Sequence, residues 1–134
     1  IEKGYRMWGT DMTPDHTPAE AGLGFAVRSD GSDFLGRDGL AARAPATRRL
    51  ATLTLEPDVV MTGGEPLFVD GQVAGYVTSA AYGPSVGRSI AYAWVPAELR
   101  AGDAVVVRSF DREVHGTVAP GTALFDPAGV RLRA

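Results

Sequence analysis

With 134 residues, 45% of them hydrophobic and 22% charged, the chain reads as a soluble globular protein of one domain, or of one domain with an appendage. Its net charge of -3 argues against a nucleic-acid or anionic-membrane surface, and no apolar run approaches the roughly 20 residues of a membrane helix. The absence of cysteine excludes disulfides, thiolate metal sites and cysteine nucleophiles, which fits a reducing, cytoplasmic setting.

In chain order, Thr17-Pro18-Ala19-Glu20 reads as a helix start. Thr17 serves as N-cap, Pro18 sits where its missing N–H costs nothing, and Glu20 stands three residues after the cap. Gly22 and Gly24 limit that helix to about two turns. A second short helix is expected after Phe34, and Ala44-Pro45-Ala46-Thr47 reads as a linker. From Arg48 the period changes to two. Leu50, Thr52 and Thr54 alternate with Ala51, Leu53 and Leu55, the pattern of a strand with one buried face. Asp70-Gly71 between two β-rich runs marks a tight hairpin, because both turn positions need φ > 0. Ser89 to Val95 is another strand, and Ala104 to Phe110 with Glu113 to Val118 form a second hairpin about Asp111-Arg112. Short strands at this spacing indicate a mainly β (α+β) fold: a small antiparallel barrel or sandwich preceded by a short helix-loop segment.

Few motifs carry chemistry by themselves. Gly22-Leu23-Gly24 follows a helix start rather than a strand, and Val27 stands where a dinucleotide-binding loop needs its third glycine. His16 and His115 lack metal-ligand spacing, and His115 is expected on a surface or barrel face. Gly63-Gly64 reads as a turn. Thr78, Ser79 and Ser85 have no histidine or carboxylate near in sequence, although a partner in space stays open. Tyr82 to Gly87 has the composition of a loop joining two strands.

Longer stretches do resemble a known family. Glu2-Lys3-Gly4-Tyr5-Arg6, Trp8-Gly9-Thr10-Asp11-Met12, Thr17 to Val27 and Asp33 to Leu40 resemble the late part of the folate-binding region in dimethylglycine and sarcosine dehydrogenases or oxidases. Gly75 to Gly83 and Val86 to Tyr92 resemble the C-terminal barrel of the same enzymes, an architecture shared more distantly by the glycine-cleavage T-protein, an aminomethyltransferase.

The resemblance implies that residues 1–46 finish a folate-binding domain and that residues 47–134 form a Greek-key or jelly-roll-like β-barrel. It implies tetrahydrofolate and a small methylated amine as partners, FAD only in an N-terminal part outside this sequence, and packing of this chain on its own N-terminal domains. The family's catalytic aspartate lies upstream of Ile1, so no catalytic residue is assigned here and the chain alone is expected to be inactive. Three positions carry over as cofactor-binding candidates: Glu2, Tyr5 and Arg28. Glu2 stands where the family's glutamate contacts the pterin, and a carboxylate suits an amino-pyrimidine edge because it accepts two N–H bonds. Tyr5 and Trp8 read more readily as core or interdomain packing than as a stacking surface, because aromatic rings carry so much buried area, and a terminal Glu2 is open to fraying. Arg28 is the nearest match to a folate-holding arginine. Lys3 is the only lysine among 13 basic residues, so an arginine at any one place carries little weight. Two alternatives stay open: a stand-alone aminomethyltransferase of the glycine-cleavage type, and a non-catalytic folate-binding or scaffolding module.

Overall fold

The structure, a computed structural model, describes residues 1–28, 30–57 and 59–131. Six strands close into an antiparallel barrel: β1 (Arg48–Leu55), β2 (Pro66–Val69), β3 (Gln72–Gly83), β4 (Arg88–Pro96), β5 (Ala104–Ser109) and β6 (Arg112–Val118). The order around the barrel is β1-β4-β3-β2-β5-β6, with β6 returning to β1. Strands β2, β3 and β4 are consecutive neighbours, and β1 and β5 flank them by longer connections. This is Greek-key topology, and closure leaves no sheet edge exposed.

Local chemistry explains the turns. Asp70 (φ 49°) and Gly71 (φ 76°) both lie in the left-handed region, as the β2–β3 hairpin requires. The second hairpin turns one residue earlier than expected. Ser109 pairs with Arg112, so the two turn residues are Phe110 and Asp111, and Phe110 takes φ 55° with its ring in solvent. The expected turn at Asp111-Arg112 is therefore corrected. Cross-strand pairing, not residue preference, sets that register, since Phe is an uncommon occupant of positive φ.

One core fills the barrel: Ala51, Leu53 and Leu55 of β1, Val77 of β3, Ala91, Ala93 and Val95 of β4, with Leu67, Val105, Val107, Val114 and Val118 from the other strands. Burying each large aliphatic chain here contributes about 1.5–3 kcal/mol. The outer face of β1 and β4 is covered as well, so β1 has two buried faces rather than one. Leu50, Tyr92 and Trp94 point outward and pack with Ala21, Ile1, Met12 and Leu23 of the segment before the barrel. Strand β4 is consequently buried from Ser89 through Val95.

That segment contains little helix. The Thr17–Glu20 capping box forms: Thr17 N–H and Oγ–H donate to Glu20 Oε2 at 2.7 and 2.9 Å, and Glu20 N–H donates back to Thr17 Oγ1 at 3.2 Å. Yet only turns follow it, ending in a 3-10 turn at Gly24–Ala26. Gly22 adopts φ 68°, and the Glu20 carbonyl accepts Leu50 N–H of β1 at 2.8 Å instead of propagating a helix. The expected two-turn helix is thus replaced by a capped turn docked on the barrel. The second expected helix is present as α1 (Arg37–Ala41), entered through Gly36 at φ 91°.

Candidate functional site

The first twelve residues lie against β3, β4 and the loop between them, and three anchors hold them there. The first anchor is Glu2. Its Oε1 accepts two backbone N–H groups of the β3–β4 loop, from Ser85 at 2.7 Å and Val86 at 3.1 Å. Its main-chain carbonyl accepts N–H from Leu124 and Phe125 at 2.9 and 3.0 Å. The second anchor is Tyr92, whose hydroxyl donates to the Ile1 carbonyl at 2.9 Å. Burial pushes this phenol up to about 12; the Arg6 guanidinium opposes that rise and the Asp11 carboxylate adds to it.

The third anchor is Asp11, a carboxylate only 1% exposed. Its Oδ1 accepts Thr78 Oγ–H at 2.6 Å and Ser79 Oγ–H at 2.7 Å, while Oδ2 accepts Met7 N–H at 2.7 Å. The Asp11 carbonyl also accepts Trp94 Nε1–H at 3.1 Å. Adjacent strand residues normally point to opposite faces, so two consecutive side chains reaching one oxygen needs a cause. The pairing of β3 with β4 shifts between Val77 and Ser79, leaving Thr78 as the extra residue of a β-bulge. The bulge brings both hydroxyls to Asp11, and three hydrogen bonds compensate a charge that would otherwise cost several kcal/mol to bury. The nucleophile reading of Thr78 and Ser79 is answered by this partner: both hydroxyls are spent as donors to a buried acid. Ser85 contributes its backbone, not its hydroxyl, to the Glu2 contact.

Around Trp94 the packing continues. The His16 ring stacks on it with centroids 4.0 Å apart and planes 9° apart, and His16 Nδ1 accepts Thr13 N–H at 3.0 Å. The Arg48 guanidinium lies 5.3 Å from the Trp94 ring and its Nε donates to Glu20 Oε1 at 3.3 Å. The Thr17 backbone N–H holds the Glu20 carboxyl below the usual carboxylate range; burial opposes this, and the Thr17 hydroxyl and Arg48 assist.

These contacts place the three sequence candidates. Glu2 is half-buried and hydrogen-bonded, so its side chain is ordered rather than frayed. Tyr5 is 69% exposed and Trp8 66% exposed, so neither ring belongs to the core of this chain, and of the packing reading only the interdomain half is left. Arg28 is exposed beyond the 3-10 turn, and among the described residues no hydrogen bond or ion pair links it to Glu2 or Tyr5. The structure therefore joins Glu2 and Tyr5 on one anchored segment, with Arg28 exposed and tied to neither by a hydrogen bond or ion pair among the described residues. A cleft of about 620 Å³ lies elsewhere, against Thr54, Glu56, Arg88 and His115, and includes none of the three. Asp11 was missed as a candidate. The one sequence signal for it was an acid amid Trp8, Gly9 and Met12, and only the fold shows its burial.

Glu2 presents a definite chemistry. Oε1 is saturated by two backbone donors, and among the described residues Oε2 has no hydrogen-bond partner. One carboxylate oxygen in a fixed orientation thus remains for a donor group, beside a segment bearing exposed aromatic rings.

Comparison with known proteins agrees with this architecture. Residues 48–126, more than half of the chain, match the model of the glycine cleavage T-protein C-terminal barrel domain. Human mitochondrial sarcosine dehydrogenase is 36% identical over 99% of this chain, and mouse mitochondrial dimethylglycine dehydrogenase 34% identical over 99% of it. In both cases the chain spans only 16% of the relative's length. An aminomethyltransferase of Synechococcus sp. (strain WH7803) is 35% identical over 95% of this chain and is spanned to 34% of its own length. The crystal structure of aminomethyltransferase T of the glycine cleavage system from Bartonella henselae superposes with a TM-score of 0.81 at 26% identity, covering 94% of this chain and 37% of that one. A closed Greek-key barrel and a family match spanning all six of its strands lead to one conclusion: the chain belongs to the glycine cleavage T-protein C-terminal barrel domain family.

Proposed function

We propose that this chain forms the barrel and adjoining rim of a folate-dependent one-carbon transfer enzyme, an oxidative N-demethylase acting on sarcosine or dimethylglycine. The observation that carries the reading is the Glu2 carboxylate, pinned through Oε1 with Oε2 open. A pterin offers N–H donors along its amino-pyrimidine edge; with Oε1 taken by Ser85 and Val86, the two-bond contact expected of a carboxylate is reduced to one donor on the preset Oε2. The exposed Tyr5 ring supplies flat apolar surface on the same segment. Tetrahydrofolate, when bound, supplies the nucleophilic nitrogen that takes up the one-carbon unit. The residues of this chain bind and orient: Glu2 holds the pterin, Asp11 with Thr78 and Ser79 fixes the segment, and the barrel closes that side of the cavity against water. In this reading residues 1–46 complete the folate domain, residues 47–134 are the barrel, and the flavin chemistry belongs to sequence outside this chain. Arg28 has a place in it only as a contact made from outside the Glu2 segment.

A second reading rests on the Bartonella aminomethyltransferase superposition, which extends over 94% of the chain. Under it the substrate is an aminomethyl group on a lipoyl carrier protein. Feeding the full-length gene product each substrate with tetrahydrofolate separates the two. Methylenetetrahydrofolate formed from sarcosine or dimethylglycine supports the first reading. Its formation only from the aminomethyl-lipoyl carrier overturns the first and supports the second.

A further inference from the structure

We propose that Gly83, with the β3–β4 loop it opens, is the positioning element that presets the Glu2 carboxylate for its ligand. The inference rests on the folate reading of Glu2 and adds the residues that make that site. The main chain of Glu2 is fixed by Leu124 and Phe125 N–H on its carbonyl, so its side-chain torsions are the freedom that remains. A terminal carboxylate torsion is broad and roughly two-fold, and two N–H donors on the same oxygen select one orientation.

Gly83 makes that contact possible in two ways. Its carbonyl accepts N–H from Gly87 at 2.7 Å and shares the Val86 N–H with Glu2, each at 3.1 Å, closing the turn that carries the Ser85 and Val86 N–H groups to Glu2. Its missing side chain leaves the space the carboxylate occupies. A Cβ at position 83 would stand 3.0 Å from both Glu2 Cγ and Glu2 Oε1, and 2.6 Å from Ile90 Cδ1. Gly83 is buried and its φ is not positive, so glycine is needed here for close approach rather than for backbone freedom. An acceptor ordered before the ligand arrives removes an ordering cost from binding.

The experiment separates position from chemistry. Ile90→Val removes the Cδ1 atom that a new Cβ would strike, so in the Ile90→Val background the closest approach left to a Gly83→Ala side chain is the 3.0 Å one to Glu2. In the full-length gene product, affinity for 5-formyltetrahydrofolate is measured by calorimetry. Hydrogen exchange at Ser85 and Val86 and the melting temperature are followed alongside. Ile90→Val is expected to bind as wild type. The double variant is expected to bind roughly 3- to 10-fold more weakly, with faster exchange at Ser85 and Val86 and a melting temperature close to that of Ile90→Val. Affinity and exchange equal to those of Ile90→Val would overturn the proposal. Should the double variant not fold, Glu2→Ala reports on the same contact. Faster exchange at Ser85 and Val86 supports the proposal, and unchanged exchange overturns it. A wild-type protein that does not bind the probe sinks the folate reading itself and the positioning role with it. Binding that is lost in Glu2→Gln but kept in the double variant sinks the positioning role alone.

Discussion

Replacing Thr78 by Val tests the Asp11 anchor with almost no change of shape. The hydroxyl donates to Asp11 Oδ1 at 2.6 Å, and its longer contact to the Tyr92 carbonyl, 3.3 Å, contributes little. Hydrogen bonds to a charged group contribute about 1.5–3 kcal/mol, and here the acceptor is a carboxylate excluded from water. Ser79 and Met7 still donate, so the acid is weakened in its support rather than orphaned. Unfolding entropy of about 2.1 cal/mol/K per residue puts 1 kcal/mol near 3–4 °C for a domain of this size, so the melting temperature should fall by roughly 5–11 °C. Asp11→Asn gives a matched comparison. The amide oxygen can still serve Thr78 and Ser79, but the amide nitrogen would face Met7 N–H, donor against donor, at a cost of about 1–3 kcal/mol. Thermal unfolding followed by circular dichroism reads both. A loss under 1 °C for Thr78→Val would refute the reasoning that the bulge exists to supply Asp11 with donors.

Other outcomes follow from the same geometry. Gly75→Ala should abolish the native fold, because the new Cβ would sit 1.8 Å from the Trp94 carbonyl oxygen; a cooperative melt near that of wild type would contradict this. Gly39→Ala, within α1 and facing open space, should be neutral or stabilising by up to about 1 kcal/mol in chemical denaturation. The depressed Glu20 carboxyl contributes stability that is present above its unfolded value of 4.5 and lost as pH falls through its lower folded value. Glu20→Gln should flatten that acid limb in a plot of stability against pH. Tyr92 behaves in the opposite sense: its raised value contributes stability below pH 10 that is lost as pH climbs toward 12, and Tyr92→Phe should remove that alkaline dependence.

Much of the barrel was legible because its determinants are local. The period-two run from Arg48 and the Asp70-Gly71 pair each encode their element within a few residues, and both the strand and the hairpin form where expected. The misreadings share a physical origin in long-range contacts. Thr17 and Glu20 form their capping box as expected, but the Glu20 carbonyl is taken by Leu50 N–H and the helix never propagates. Both faces of β1 are buried because residues as distant as Ala21 and Ile1 cover the outer one. Cross-strand pairing of Ser109 with Arg112 moved the second hairpin turn onto Phe110. For the site, Glu2 was legible as a carboxylate with a binding role in prospect, but not its hold on Ser85 and Val86, 83 and 84 residues away. Asp11 was illegible for the same reason: its hydroxyl partners lie 67 and 68 residues along the chain.

The central claim is that Glu2 holds the acceptor of the one-carbon unit. Glu2→Gln in the full-length gene product keeps size while removing the charge, and the partition of product between methylenetetrahydrofolate and free formaldehyde reads its effect during sarcosine or dimethylglycine turnover. The account predicts that amine consumption continues while the product shifts toward free formaldehyde, with tetrahydrofolate affinity reduced about tenfold or more, in line with loss of a charged hydrogen bond. An unchanged partition together with wild-type folate affinity would contradict it.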